Sequence, residues 1–350
     1  MNTMKRYGFD ERFTALASMY SGFVVGRIIS QEKGLYRLVT ECGEKVAEIS
    51  GKFRYDSETL SDYPAVGDFV MVDWNEAGGN AIIHHVLQRK SCFIRKAAGE
   101  GRQEQVVAAN VDTLFLCMAL NNDFNLRRLE RYLSIGWDSG AIPVIVLTKS
   151  DLCTDLEEKL VEIGEVAIGV NVLVTSSMET DGEAEIRPYI TKGKTVAFIG
   201  SSGVGKSTLI NRLLGEDILA TNGLRNDDKG RHTTTRRELI LLSEGGMVID
   251  TPGMRELGMW DNESGIEQTF SDIEELAERC RFYDCTHTSE PDCAIREALG
   301  DGTLSQERWM SYLKLKTELD YMEDSTGYLA QKEKKFKDIS KTLKKMKKNR

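Results

Sequence analysis

Gly200-Ser-Ser-Gly-Val-Gly-Lys-Ser-Thr208 lies between an apolar run, Thr195-Val-Ala-Phe-Ile199, and a helical one, Leu209-Ile-Asn-Arg-Leu-Leu214. Strand, glycine-rich turn and helix start are the setting of a phosphate-binding loop. Gly200, Gly203 and Gly205 let the backbone curl until several N–H groups point at one anion. The helix N-terminus adds its positive end. Ser201, Ser202 and Val204 fill the turn between the glycines. Lys206 is positioned for the β- and γ-phosphates, Ser207 offers a hydroxyl to Mg²⁺, and Thr208 completes the motif. An ordinary glycine turn ahead of a helix needs neither this full spacing nor both flanks.

Outward from the loop, strand and helix alternate. Residues 111–120, 142–147, 170–174, 238–242 and 246–250 are apolar strand candidates. Residues 125–136 have Leu126, Leu129, Tyr132 and Leu133 at helical spacing, and 155–164 also read as helix. This alternation predicts a parallel sheet covered on both faces, with ligands at the carboxyl ends of the strands.

Two further motifs fall at such ends. Thr148-Lys-Ser-Asp151 follows the strand ending at Leu147. A carboxylate at Asp151 accepts from N1–H and N2–H₂ of guanine, a donor pair that adenine lacks. The stem of Lys149 covers the base plane, and Thr148 and Ser150 complete the segment. Thr175-Ser-Ser177, after the next strand, forms a second wall of the base pocket, with Ser176 at its centre. Asp250-Thr-Pro-Gly253 ends another strand: Asp250 suits Mg²⁺ through water, and the Gly253 N–H suits a γ-phosphate. Between these lies Gly230-Arg-His-Thr-Thr-Thr235 in a polar loop. One of its threonines reaches Mg²⁺ when the γ-phosphate is bound, and Thr234 is the slight favourite.

Before the sheet, residues 22–29, 34–40, 45–50, 68–74 and 80–87 form five short strand candidates separated by turn residues. They suit a small OB-type β-barrel. Such barrels often bind single-stranded nucleic acid. Residues 1–20 read as an amphipathic extension, 21–90 as the barrel, and 91–104 as a solvated linker. After the sheet, Cys280-Arg-Phe-Tyr-Asp-Cys285-Thr-His287 and Cys293 have the spacing C-x4-C-x-H-x5-C. Three thiolates and one imidazole make a closed tetrahedral, structural Zn²⁺ site. Helical stretches at 270–280 and 305–323 would frame it in a small zinc-binding domain. Cys42, Cys92, Cys117 and Cys153 have no such company and read as plain core or surface residues.

The chain has 350 residues and a net charge of −9. Residues 331–350 hold nine Lys and one Arg against Glu333 and Asp338, a balance of +8, so the other 330 carry −17. An acidic body with a basic tail argues against a generic nucleic-acid coat. No apolar run approaches the roughly 18 residues of a membrane span, no signal-peptide core is seen at the start, and seven cysteines fit a reducing compartment. The expectation is a cytoplasmic monomer without membrane contact.

These are GTPase motifs in rotated order: the base-reading segments (148–151, 175–177) precede the phosphate loop (200–208) and the two switches (230–235, 250–253). With a barrel before and a cysteine cluster after, the chain resembles the RsgA family of small-ribosomal-subunit biogenesis GTPases over residues 20–345. Residues 105–112, Gln-Val-Val-Ala-Ala-Asn-Val-Asp, also look like that family. The resemblance implies three parts: an OB-type barrel, a central α/β P-loop GTPase domain of circularly permuted order (105–262), and an α-helical zinc-binding domain with a basic tail (263–350). It implies GTP hydrolysis with Mg²⁺, one structural Zn²⁺, GTP and GDP as ligands, and the small ribosomal subunit and its rRNA as partners, with the GTP state bound and hydrolysis driving release. Many GTPases carry glutamine after the Asp-x-x-Gly segment to orient water. Here that residue is Met254, and the family resemblance offers His232 as the hydrolytic helper beside Lys206 and Gly253. Two rivals stand against this: a P-loop ATPase or small-molecule kinase, marked by adenine selectivity, and an RNA-binding nucleotide switch with little hydrolysis, marked by no subunit-stimulated phosphate release.

Overall fold

The computed structural model describes residues 3–32, 34–74, 78–96, 104–215, 237–250 and 264–323. Two compact units divide the chain, 1–258 and 259–350.

The first unit begins with two short helices, α1 (Thr3–Arg6) and α2 (Glu11–Ala17). The Asp10 side chain caps α2 by accepting from the Phe13 N–H. Five strands follow: β1 (Val24–Glu32), β2 (Leu35–Thr40), β3 (Gly43–Ile49), β4 (Phe69–Asp73) and β5 (Ala81–Val86), with α3 (Gly51–Asp56) between β3 and β4. Their pairing runs β1–β2–β3–β5–β4 and back to β1, with β3 and β5 parallel. That closed order with a helix after the third strand is the expected OB-type barrel. Phe13 packs against Phe69 with ring centroids 4.2 Å apart and the planes tilted by 42°, so the N-terminal helices cover one side of the barrel.

The segment read as a linker is partly a strand. β6 (Cys92–Lys96) pairs antiparallel with β7 (Glu104–Ala109). Arg89, at the barrel's end just before it, donates to both carboxylate oxygens of the fully buried Asp68, at 2.9 and 2.8 Å. Arg89 and Lys90 look solvated in one dimension because their partners, Asp68 and Asp112, lie 21 residues upstream and 22 downstream.

The sheet core continues with β8 (Thr113–Ala119), α4 (Leu126–Ser139), β9 (Ile142–Thr148), α5 (Leu156–Val166), β10 (Asn171–Val174), β11 (Thr195–Gly200), α6 (Lys206–Leu214), β12 (Arg237–Leu241) and β13 (Met247–Asp250). Strand order is β10-β9-β8-β11-β13-β12, parallel except for β12. Every residue of β8 and β11 is buried, as strands covered on both faces require. Phe115 and Phe198 pack with Leu209, Ile210 and Leu213 of α6 on one face. Leu114 meets Gly136 of α4 on the other. β12 also pairs with β1, at Ser30–Glu238 and Gln31–Arg237, which joins barrel and parallel sheet into one eleven-stranded sheet.

The second unit contains α7 (Ser264–Thr269), α8 (Ser271–Ala277), α9 (Ala294–Asp301) and α10 (Gln306–Glu323). Phe270, Ile273, Ile295 and Leu319 are buried there, and buried Arg308 donates to Asp272 at 2.5 and 2.8 Å. Helices α7 and α9 lie outside the two helical stretches expected from sequence. Both are short, and a turn or two of helix leaves little periodicity to read.

Candidate functional site

Residues 200–208 form the expected strand–turn–helix. β11 ends at Gly200, whose φ is +149° and where an added Cβ would sit 2.3 Å from the Cys117 carbonyl oxygen. Glycine is therefore required for close approach to β8. Gly205, at φ +103°, turns the chain into α6 from the left-handed region. Val204 is buried and anchors the turn, whereas Ser202 and Gly203 face solvent. The Lys206 ammonium donates to the carbonyls of Gly200 and Ser201, both at 2.6 Å, so it spans the mouth of the loop. Ser207 and Thr208 occupy the first turn of α6, half-buried. Burial pushes the Cys117 thiol up to about 12, against the pull of Lys206, and keeps it uncharged under the loop.

The base-reading segment meets this loop directly. Buried Thr148, at the end of β9, donates its hydroxyl to the Val204 carbonyl at 2.6 Å. Lys149 follows with φ +58°, and the chain turns into a short 3-10 segment, Ser150–Leu152, that leaves Asp151 exposed. Thr175 and Ser176 are buried and Ser177 is exposed. The Thr175 N–H donates to the Leu147 carbonyl at 2.8 Å, and its hydroxyl to the Gly182 carbonyl. Ser176 donates its hydroxyl to Asp151 Oδ1 at 2.5 Å. Arg212 of α6 donates to the carbonyls of Glu179 and Thr180, both at 2.6 Å, tying the helix after the phosphate loop to the loop beside Asp151. The two segments expected to form a nucleotide site, 148–177 and 200–208, are thus one connected structure.

Arg128 belongs to the same network, and the sequence reading missed it. Its guanidinium donates to Asp123 at 2.7 Å and to the Ser201 hydroxyl. The signal was present: Arg127 and Arg128 stand in the first turn of α4, capped by Asn125, with no acidic residue there. Cations are disfavoured at a helix N-terminus, so such a pair points to partners elsewhere.

His232, Thr234, Gly253 and Met254 lie outside the described residues, as does the tail 331–350. Asp250 is the last residue of β13, and its side chain is likewise not described.

In the second unit Cys280, Cys285, His287 and Cys293 converge, their ligand atoms all within 4.8 Å of one another. Cys280 Sγ lies 3.8 Å from Cys293 Sγ, and His287 Nδ1 lies 3.6 and 3.5 Å from those two sulfurs. A tetrahedral zinc with Zn–S about 2.3 Å and Zn–N about 2.0 Å has edges of about 3.5–3.8 Å, so the donors fit that ion. His287 adopts φ +58°, and its ring packs edge-on to Trp309 at 5.7 Å. Burial raises the Cys280 thiol's pKa, but hydrogen bonds from the backbone at Ile295 and Ala294 outweigh it and the net shift is downward, towards a thiolate. Among the described residues this is the one cluster of its kind, and no helix is long and apolar enough to cross a membrane.

Comparison with known proteins bears on the same regions. The family model of the RsgA GTPase matches residues 86–260. The "Small ribosomal subunit biogenesis GTPase RsgA 2" of Lactiplantibacillus plantarum is 52% identical over 319 residues, 90% of this chain and 89% of the relative. A Listeria monocytogenes protein of the same description is 44% identical over 348 residues, 97% of each. Among solved structures, YjeQ from Thermotoga maritima matches with TM-score 0.62 and 29% identity, over 85% of this chain and 98% of that one. YloQ, described as a circularly permuted GTPase, matches with TM-score 0.60 and 29% identity, over 86% and 96%.

Proposed function

The chain belongs to the RsgA GTPase family, and on that premise we propose that it hydrolyses GTP in the biogenesis of the small ribosomal subunit. The observation that supports this most is the Thr148–Val204 hydrogen bond, which joins a guanine-reading segment to a phosphate loop. In this reading Asp151 accepts from the guanine N1–H and N2–H₂, Lys149 covers the base, and Ser150 and 175–177 line the pocket. The N–H groups of 201–208 and the Lys206 ammonium hold the phosphates and neutralise charge as water attacks in line. Ser207, Asp250 and a switch threonine, Thr234 for preference, hold Mg²⁺, which supplies charge neutralisation on the phosphate oxygens. Gly253 donates its N–H to the γ-phosphate, and His232 replaces the glutamine absent at 254 as the group that orients water.

Cys280, Cys285, His287 and Cys293 hold one Zn²⁺, which cross-links the second unit. The protein works in the cytoplasm as a monomer. The barrel (21–90) and the permuted GTPase region (105–262), which share one sheet, divide the work with the zinc region (263–350), barrel and zinc region meeting rRNA and the basic tail adding salt-dependent affinity. The GTP state binds the subunit and hydrolysis releases it.

GTP turnover with and without purified small subunits tests the reading. Stimulated phosphate release from GTP, and none from ATP, is expected. Equal turnover with and without subunits removes the ribosomal role, and equal use of ATP removes the guanine assignment. His232→Ala separates the helper from the site: it should lower stimulated turnover and leave GTP affinity in place.

A further inference from the structure

The loop that follows Ser176 has little of its own to hold it beside Asp151. Residues 177–181 are all exposed, and their one large apolar side chain, Met178, is 79% exposed. Apolar burial therefore contributes almost nothing to where this loop sits. Backbone contacts set its shape. The Thr175 hydroxyl donates to the Gly182 carbonyl, and a Cβ added at Gly182 would lie 1.9 Å from the Ser176 carbonyl oxygen. The two ends of the loop thus close on one another at a point where only glycine fits.

The closed loop turns its acceptors on one side chain. Arg212 donates through Nη2 to the Glu179 and Thr180 carbonyls, both at 2.6 Å, and through Nη1 to the Ser176 carbonyl at 3.4 Å. Its Nε lies 3.2 Å from the Glu183 carboxylate, which Arg187 holds from another side at 3.1 Å. A planar guanidinium with five N–H donors suits such a ring of acceptors, whereas a lysine ammonium carries its three donors on one atom and cannot span it. Arg212 stands in the last turn of α6, the helix that begins at Lys206. One helix therefore carries the phosphate loop at its start and the loop beside Asp151 at its end, about 9 Å further along. Ser176 is where this clamp meets the base-reading carboxylate. The residue is buried, its carbonyl faces Arg212, and its hydroxyl donates to Asp151 Oδ1 at 2.5 Å.

We propose that Arg212 is a positioning residue for guanine selectivity: it fixes the 176–183 loop against α6, and so holds Ser176, and through Ser176 the Asp151 carboxylate, where the base is read. The proposal deepens the guanine reading above and rests on it. ITP differs from GTP only in lacking the 2-amino group, so the ratio of the two affinities reports the aim of Asp151. The test titrates the full chain with each nucleotide in the presence of Mg²⁺. The parent protein should favour GTP by roughly ten-fold or more, the order of one hydrogen bond to a charged group. Arg212→Lys keeps the charge and the stem but not the fork. It should weaken GTP binding several-fold, leave ITP within two-fold and bring the ratio towards one, and in steady state it should raise KM for GTP while kcat at saturation holds. Gly182→Ala drives a methyl group into the Ser176 carbonyl from the far side of the loop and should move the ratio the same way. Equal losses for GTP and ITP, or a ratio kept within two-fold of the parent in either folded variant, overturn the assignment. A parent protein that binds ITP as tightly as GTP removes the guanine reading and the role of Arg212 together. A parent that prefers GTP, with variants that keep the preference, removes the role of Arg212 alone.

Discussion

Ser176 sets the direction of the Asp151 carboxylate, to which the proposed function assigns base choice. Its hydroxyl donates to Asp151 Oδ1 at 2.5 Å, and the residue is 1% exposed, so the donor has no competing water. A hydrogen bond to a charged group is worth about 1.5–3 kcal/mol. Ser176→Ala should therefore weaken GTP binding roughly ten-fold while leaving ATP binding unchanged, read by titration calorimetry. Asp151→Asn reverses the recognition chemistry: xanthine presents an acceptor where guanine has its 2-amino donor, so XTP should bind the variant better than GTP does. If the variant keeps its preference for GTP, Asp151 does not read the base. Both residues could be named from their motifs, since each follows a buried strand. Their contact could not, because it joins positions 25 apart through backbone turns at Lys149 and Thr175 that no local pattern encodes. Arg128 was less visible still, a helix-surface arginine in one dimension and a neighbour of Ser201 in three.

At the scale of elements, the short helices of the second unit need an organising contact. α7, α8 and α9 have 6, 7 and 8 residues, below the length at which a helix holds in water. Cys293 is the N-cap of α9, and Cys280 follows shortly after α8, so a metal held by the proposed ligands would staple the two together. Metal affinity in such small units is folding free energy. The purified protein should hold one equivalent of zinc. Chelation should release it with loss of helical circular dichroism and a rise in reactive thiols as Cys280, Cys285 and Cys293 join the exposed Cys42 and the half-buried Cys92 and Cys153, with Cys117 still buried. Retention of the full helical signal after complete removal would show that the hydrophobic residues around Phe270 suffice. The metal ligands were readable because spacing and residue type are local. The β6 strand was not: Arg89 to Lys96 carries the charges of a connector, and only its pairing with β7 and the Asp68 carboxylate make it structural.

On the scale of the whole first unit, barrel and parallel sheet were each legible, but their union was not. Strand edges pair through backbone groups that carry no side-chain code, and β1 meets β12 in that way. A buried arginine and a half-buried aspartate reinforce the union. The Arg27 guanidinium, 1% exposed, donates to the carbonyls of Tyr7 and Gly67 and to Thr195 Oγ1, so one side chain touches the N-terminal helices, the barrel and the start of the phosphate-loop strand. Asp112 does the same with the opposite charge. Its carboxylate accepts from Lys90 Nζ at 2.7 Å, from Lys194 Nζ at 3.2 Å and from the Thr195 N–H at 2.8 Å. Burial pushes its pKa up, but Lys90, the Thr195 N–H and Lys194 outweigh that and hold it below the ordinary carboxylate range. Lys90 goes the other way, since burial lowers its pKa despite Asp112, so it gives back part of what the carboxylate gains. A folded pKa below the unfolded one gives stability that is complete above the unfolded value, about 3.9, and is lost as pH falls through the folded value. Asp112→Asn keeps an acceptor for Thr195 and removes only the charge, leaving two lysines to repel one another around it. It should lower stability at pH 7 by about 2–3 kcal/mol, read from urea midpoints. The gap between parent and variant should stay constant from pH 7 to 5 and close below pH 4. A gap that does not shrink at all between pH 5 and pH 2.5 would mean that Asp112 acts through shape and not through charge, and the electrostatic link between the barrel's end at Lys90 and the start of β11 would then have to be given up.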